Sequence, residues 1–132
     1  MNIRELFENK KKLESQIIYY KKRKLIQIID PNKTLVNAHI QKADHNLKFF
    51  TSNQKKEEFA DWLIVILYYT LYHAALALLA NKNFISKNHS ATICLLIREY
   101  GISQSEAELI NELSINKEDA EFVFNKAKKW AE

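Results

Sequence analysis

Residues 62–80, WLIVILYYTLYHAALALLA, form a run of nineteen side chains without a formal charge. A helix of this length, at about 1.5 Å per residue, could span the hydrocarbon core of a bilayer. However, tyrosine, threonine and histidine side chains lie in the middle of the run, whereas the aromatic residues of membrane helices concentrate at the two ends. We therefore interpret the run as a buried helix of a soluble protein and expect no membrane partner.

The chain has one glycine, Gly101, and one proline, Pro31. Tight turns depend heavily on these two residue types, so their scarcity favours helices joined by short polar links. A length of 132 residues suits one domain with its own core. We expect an all-α protein with a single domain over residues 1–132. The single cysteine and the lack of an apolar secretory segment near the N-terminus favour a cytoplasmic location.

Capping residues and apolar spacing predict where the helices begin and end. Asp30 followed by Pro31 is typical of a helix start. Gly101 is typical of the residue that follows a helix, and Ser103 with Glu106 forms a capping box. The predicted helices cover 3–24, 31–52, a third that contains 62–80, 87–100, 103 to about 114, and a last one after Asn116, with an extended link at 25–30.

A helix that is apolar on all sides must be covered on all sides, which is difficult to achieve within one small helical domain. We therefore expect one face of the helix at 62–80 to meet a second copy of the chain. The predicted homodimer interface consists of Tyr68, Tyr72 and Leu76.

Positive charge is concentrated in the first part of the chain. Residues 1–60 contain 13 Lys or Arg against 7 Asp or Glu, a net charge of +6, whereas residues 61–132 carry a net charge of −2. Two basic segments stand out, KKK at 10–12 and KKRK at 21–24. They are either an ordinary solvated helix face or a surface that attracts the phosphates of RNA or an acidic partner. The residues of KKRK are Lys21, Lys22, Arg23 and Lys24.

The four histidines are further candidates for chemistry. His39 and His45 lie six residues apart on the second predicted helix and point in different directions, and motifs such as HExxH are missing, so we expect no metal ion. Without a glycine-rich phosphate loop, no cofactor is expected either. His73 follows Tyr69 by four residues, which fits either a hydrogen-bonded core pair or a binding site. His89 lies near a predicted helix start and fits either a cap or a functional site.

The central part of the chain resembles the HEPN domain of prokaryotic proteins. The segment DWLIVILYYTLYHAALALLANKNFISKNHSATICLLI at 61–97 is similar to the family's tyrosine-rich helix, lysine-bearing loop and K-x-H helix start. The segment DPNKTLVNAHIQKADHNLKFF at 30–50 is similar to the preceding helix. This resemblance implies an antiparallel four-helix up-down bundle with one or two additional short helices, usually paired as a homodimer. Many members are encoded beside a minimal nucleotidyltransferase, and such pairs can act as toxin and antitoxin.

For the toxic members of the family, the resemblance also implies a metal-independent ribonuclease with an Arg-x(4–6)-His motif from both copies. No arginine of this chain has that spacing before a histidine, and Lys82, seven residues before His89, is the nearest substitute. Ala91 stands where nuclease members that a partner modifies carry a tyrosine. In such an enzyme His89 would accept the proton of a ribose 2′-OH, and Lys82 would stabilise the charge on phosphorus.

The residues and the resemblance support three functional hypotheses. The first is a non-catalytic or regulatory partner of a minimal nucleotidyltransferase in a toxin–antitoxin-like pair, which binds RNA or a nucleotide. The alternative is a metal-independent HEPN ribonuclease toxin with His89 and Lys82 as catalytic residues. The second alternative is a helical scaffold or interaction protein. The residues predicted to bind RNA or nucleotide are Lys87, His73, Tyr69, Lys21, Lys22, Arg23 and Lys24.

Overall fold

The computed structural model describes residues 1–131, with side chains through Glu121. Within this range the protein is mostly helical, with six α-helices and one two-stranded sheet. This confirms the helical class expected from the scarcity of glycine and proline. The elements are α1 (Ile3–Glu8), α2 (Lys10–Lys22), β1 (Ile26–Ile28), α3 (Lys33–Asn53), α4 (Ala60–Asn81), β2 (Phe84–Ser86), α5 (His89–Tyr100) and α6 (Gln104–Ala131), with a 3₁₀ turn at Glu57–Phe59 before α4.

Asn9 divides the first predicted helix, 3–24, into α1 and α2. Its backbone is extended, with φ −138° and ψ 99°. The Asn9 N–H donates to the Glu5 carbonyl and closes α1, while its side-chain oxygen accepts from the N–H groups of Lys11 and Lys12. One residue therefore ends one helix and caps the next. The prediction of a continuous helix is wrong because the apolar repeat continues across this break and hides it.

The helix α3 begins two residues later than predicted. Asn32 is its N-cap, and the Asn32 side-chain oxygen accepts a hydrogen bond of 3.0 Å from the Leu35 N–H. Pro31 therefore precedes the cap and does not occupy the first helical turn. Asp30 and Asn32 are equally good capping residues, so the sequence favoured the wrong one of two adequate candidates.

The link between α5 and α6 agrees with the prediction at both ends. Gly101 follows α5 in the left-handed conformation, with φ 62°. Ser103 Oγ accepts from the Glu106 N–H at 3.1 Å, and Glu106 Oε1 accepts from the Ser103 N–H at 3.0 Å, which completes the expected capping box. From this cap α6 continues without interruption through Asn116, so the prediction of two separate helices is wrong.

The link predicted at 25–30 is extended, and it also forms a strand. β1 pairs antiparallel with β2, with Ile26 opposite Ser86 and Ile28 opposite Phe84. The pairing fixes the end of α2 against the approach to α5. No local sequence signal predicts this sheet, because its two short strands lie far apart in the chain and carry no hairpin turn between them.

The helix α4 contacts α3, α5, α6 and β2, whereas α3 packs mainly on α4. His89 at the start of α5 contacts Tyr68, and the Tyr100 hydroxyl at the end of α5 donates to the Leu78 carbonyl. Helices α4 and α5 therefore run in the same direction, and β2 carries the chain back to the start of α5. This pair differs from the up-down order, in which consecutive helices are antiparallel.

The core between α2, α4 and α5 holds the start of α5 in place. Ile17, Leu79 and Leu95 have no exposed surface. Cys94 is equally buried, and burial raises the pKa of its thiol to about 11. Cys94 is therefore a protonated core side chain.

Among the described residues, Glu57–Asn81 is the one helical stretch long and apolar enough to cross a membrane, with a mean hydropathy of 2.0 in its most apolar window. The fold covers part of it, since 44 % of that window is buried inside the protein. A core helix passes the same test of length and composition. The arrangement is compatible with a soluble protein.

Candidate functional site

His89 is the first residue of α5, and its ring lies between α4 and α6. The preceding Asn88 caps the helix, with its side-chain oxygen 2.7 Å from the Ala91 nitrogen. His89 Nδ1 lies 3.3 Å from the Tyr68 hydroxyl, and His89 Nε2 lies 3.2 Å from Asn111 Oδ1. Because the amide oxygen only accepts, Nε2 carries the hydrogen, and Nδ1 accepts from the Tyr68 hydroxyl. The neutral imidazole therefore has a partner for each nitrogen.

Burial sets the protonation of both rings in this contact. Burial lowers the pKa of His89, and this outweighs the hydrogen bond to Asn111, which acts in the opposite direction. Burial raises the pKa of Tyr68 to about 12, against a hydrogen bond from Ser114 that lowers it. Both side chains are therefore neutral at pH 7.

A charged pair on α6 borders this contact. The Lys117 ammonium lies 5.2 Å from the centre of the Tyr68 ring and 5.4 Å from that of the Tyr69 ring. It pairs with Glu121 at 3.4 Å, and the Tyr69 hydroxyl donates to the other oxygen of Glu121 at 3.3 Å. Burial opposes the charge on Lys117, but Tyr69 and Glu121 together leave its pKa raised. The cation is thus retained beside two aromatic faces.

The residues that α6 contributes to this contact were not predicted from the sequence. Asn111, Ser114, Lys117 and Glu121 follow one another at spacings of three, three and four residues, which places them on one face of a helix. That signal is readable only if the helix is continuous. The predicted break at Asn116 divided the face in two and concealed it.

Lys82 lies away from His89. Its ammonium donates to the Glu99 carbonyl at 2.9 Å and lies 4.8 Å from the centre of the Tyr100 ring, at the end of α5. His89 begins the same helix, and eleven residues of α-helix span about 16 Å. The structure therefore does not bring together the two residues predicted to act as a catalytic pair. Because α4 and α5 are parallel, Lys82 at the end of α4 lies beside the end of α5, whereas His89 lies at the start of α5.

His73 and Tyr69 lie on α4 but contact different neighbours. Tyr69 reaches Glu121 on α6, whereas His73 Nδ1 lies 3.1 Å from Nδ1 of His39 on α3. Burial lowers the pKa of both histidines. Tyr69 and His73, both predicted to bind RNA or nucleotide, thus lie one turn apart on α4, but each contacts a different neighbouring helix.

One basic residue, by contrast, is brought next to the others along the backbone by the two-stranded sheet. The Lys87 N–H donates to the Leu25 carbonyl at 2.8 Å, one step beyond the paired strands, so Lys87 lies next to the KKRK segment. Residues 15–29 contain no acidic side chain. An exposed aromatic, Tyr19, lies alongside, with its ring centre 4.7 Å from the Arg23 guanidinium carbon. We call the five exposed cations the basic cluster: Lys21, Lys22, Arg23, Lys24 and Lys87.

The residues predicted to form a homodimer interface are largely covered within the chain. Tyr68 is only 5 % exposed because α6 lies over it, and Tyr72 stacks on the Tyr68 ring with 5.6 Å between centres. Tyr72 and Leu76 are half-buried. The exposed apolar surface lies instead along α3 and α4, beside a groove of about 480 Å³. Large apolar side chains exposed on this face are Ile40, Leu47 and Leu78.

Comparison with known proteins identifies no related protein. No protein-family model matches the chain, and neither a curated protein nor a solved structure matches it significantly. The resemblance to HEPN domains therefore rests on the sequence segments quoted above.

Proposed function

We propose that this protein is a non-catalytic, HEPN-like partner of a minimal nucleotidyltransferase and that it binds RNA through the basic cluster. The observation that supports RNA binding is the position of Lys87 beside the KKRK segment, across the paired strands. The backbone of Lys87 thus lies beside the segment that carries four other exposed cations, and residues 15–29 contain no acidic side chain. Such a surface attracts phosphate groups and concentrates a polyanion near the protein.

The surroundings of His89 support a non-catalytic role. A general base needs a free lone pair within reach of the proton that it removes. The lone pair of His89 Nδ1 accepts from the Tyr68 hydroxyl, and Nε2 donates to Asn111. The nearest candidate for stabilising charge on phosphorus, Lys82, contacts the far end of α5. This arrangement favours the binding hypothesis over the ribonuclease alternative.

The proposal keeps the other expectations that come from the resemblance. They are a toxin–antitoxin-like pair with the nucleotidyltransferase, a cytoplasmic location, a homodimer and a four-helix bundle of the HEPN kind, in which the parallel α4 and α5 are an exception to the up-down order. For the homodimer, the exposed apolar face of α3 and α4 is a better candidate than Tyr68, which α6 covers.

The test is the binding of a fluorescent single-stranded RNA, measured by anisotropy at several salt concentrations. The variant replaces Lys21, Lys22, Arg23 and Lys24 by glutamine. If all four contact phosphates, the slope of log K against log salt should fall by about 3, at roughly 0.7 per lost contact. Affinity at low salt should fall more than about tenfold. Lys87→Gln alone should lower the slope by about 0.7.

A control variant removes the same amount of charge elsewhere. Lys42, Lys48, Lys55 and Lys56 are exposed lysines on α3 or just after it, outside the basic cluster, and their replacement by glutamine should change the slope little. Equal losses in the two variants would indicate nonspecific attraction and contradict the assignment. No RNA binding by the wild type would favour the scaffold alternative. RNA cleavage in EDTA that is lost in His89→Ala would instead establish the ribonuclease alternative.

A further inference from the structure

Two histidines from different helices face each other between α3 and α4. His39 and His73 are 34 residues apart in the chain, and their Nδ1 atoms lie 3.1 Å apart. The two ring centres are separated by 5.3 Å, and the ring planes are tilted by 32°. Both side chains are half-buried, so the pair is reachable from solvent.

The separation of the two nitrogens fits a shared metal ion. Imidazole nitrogens bind transition metals at about 2.0–2.1 Å, so an N–N distance of 3.1 Å corresponds to an N–metal–N angle of roughly 95–102°. This angle lies between the right angle of square-planar or octahedral complexes and the tetrahedral angle. The 5.3 Å between the ring centres is close to the longest value that this N–N contact allows, so the two rings meet nearly end to end. Each ring must therefore turn by roughly 20–40° before both lone pairs point at one ion.

We propose that His39 and His73 form a binding site for a divalent transition-metal ion, with Cu²⁺ as the tightest ligand. Imidazole is a good ligand for Cu, Ni and Zn, and affinity for such sites peaks at Cu²⁺. Among the described residues, no group of three or more His, Cys, Asp or Glu side chains could hold a metal. The site therefore has two protein ligands, and water or another small ligand fills the other positions.

The protonation state of the pair suits a metal ligand. Metals bind the neutral imidazole, and burial lowers the pKa of both rings, so both are neutral at pH 7. The ring that donates its Nδ1 hydrogen in the present contact must move that proton to Nε2 before both Nδ1 atoms face the ion. This is a change of tautomer through solvent, so metal binding at neutral pH releases no net proton.

One neighbouring charge opposes the site. The positive charge of Lys42 acts on His73 and helps to lower its pKa. Lys42 also follows His39 by three residues on α3, within one helical turn. A divalent cation would be repelled by the same ammonium, which makes Lys42 a direct means of testing the site.

The test is a titration of the full chain with Cu²⁺ at pH 7, monitored by calorimetry and by electron paramagnetic resonance. We expect one ion per chain and a spectrum with nitrogen ligands. His39→Ala and His73→Ala should each weaken binding by at least about 10–100-fold, because loss of a direct ligand costs more than loss of a residue that supports one. Lys42→Gln should tighten binding by about threefold, because it removes a nearby positive charge without adding a carboxylate ligand.

The matched control is His45→Ala. His45 lies on the same helix and is exposed, so its removal should leave Cu²⁺ binding unchanged. Circular dichroism checks that each variant is folded, and the gain expected for Lys42→Gln does not depend on any loss. The site is refuted if His39→Ala, His73→Ala and wild type bind Cu²⁺ equally, or if His45→Ala removes the binding.

Discussion

At the scale of single residues, the contact between Tyr68, His89 and Asn111 shows why a buried histidine need not be reactive. Each polar atom has one partner of the opposite kind, so the neutral imidazole is the state that burial allows. His89 was a candidate from its position at a helix start, and that position was predicted to within two residues. Its partners were not, because they lie on two other helices that no local pattern connects to it.

Replacing Tyr68 by phenylalanine tests this contact at neutral pH. The variant loses the hydroxyl that donates to His89 and that Ser114 contacts, and it leaves buried groups without a partner. We expect the free energy of unfolding to fall by about 1–3 kcal/mol in urea at pH 7. Tyr72→Phe is the control, since the Tyr72 hydroxyl has no hydrogen bond within the described part of the chain. Equal losses in both variants would contradict the contact.

The same variant should change the alkaline stability. The pKa of Tyr68 is raised from 10.0 to about 12, so the folded state holds this proton more tightly than the unfolded state does. The resulting stability is complete below pH 10 and is lost as the pH rises toward 12. Wild type should therefore lose roughly 2–3 kcal/mol more than Tyr68→Phe across this range. Parallel loss in the two proteins would show that Tyr68 is not the group responsible.

At the scale of elements, the sequence predicted those boundaries that one dominant local signal defines. Gly101 and the Ser103–Glu106 box end α5 and begin α6 as expected. Boundaries were wrong where two capping residues compete, as before α3, or where a good capping residue lies inside a helix, as Asn116 does. The β1–β2 pairing was missed because it depends on the tertiary fold. For the same reason, the basic cluster was predicted as a segment, but its fifth member, Lys87, was not placed beside it.

A pair of asparagines tests the boundaries directly. Asn88 accepts from the Ala91 N–H at 2.7 Å at the start of α5, so Asn88→Ala should cost about 1 kcal/mol of stability. Asn116 is exposed inside α6, where alanine is the better helix former, so Asn116→Ala should stabilise by roughly 0.5 kcal/mol. Urea unfolding measures both. A loss for Asn116→Ala as large as that for Asn88→Ala would mean that Asn116 caps a separate helix.

At the scale of the whole molecule, the uncharged run at 62–80 is accommodated by neighbours on several sides. Helices α3, α5 and α6 and strand β2 all contact α4. Among the described side chains, the α3–α4 side is incompletely covered, because Ile40 and Leu47 on α3 are exposed and Leu78 on α4 is 44 % exposed. The expectation that α4 needs a second copy thus persists, but its location moves from Tyr68 to the α3–α4 face. The sequence could not indicate the position of this interface, because it does not show which side of α4 is covered by α6.

Leu78→Glu tests whether a second copy covers the α3–α4 face. A contiguous apolar face on a soluble protein usually marks an interface, and a carboxylate buried there without a partner would cost several kcal/mol. Sedimentation of the wild type at about 10 μM should give a dimer, and Leu78→Glu should raise the dissociation constant at least about 100-fold, which corresponds to roughly 3 kcal/mol. Leu109→Glu places the same charge at a leucine that is 54 % exposed on α6, and it should remain dimeric. Two outcomes would exclude the α3–α4 face as the interface. One is a monomeric wild type, and the other is a dimer that Leu109→Glu dissociates and Leu78→Glu does not. In either case, only residues of the same chain would cover the apolar surface of α4.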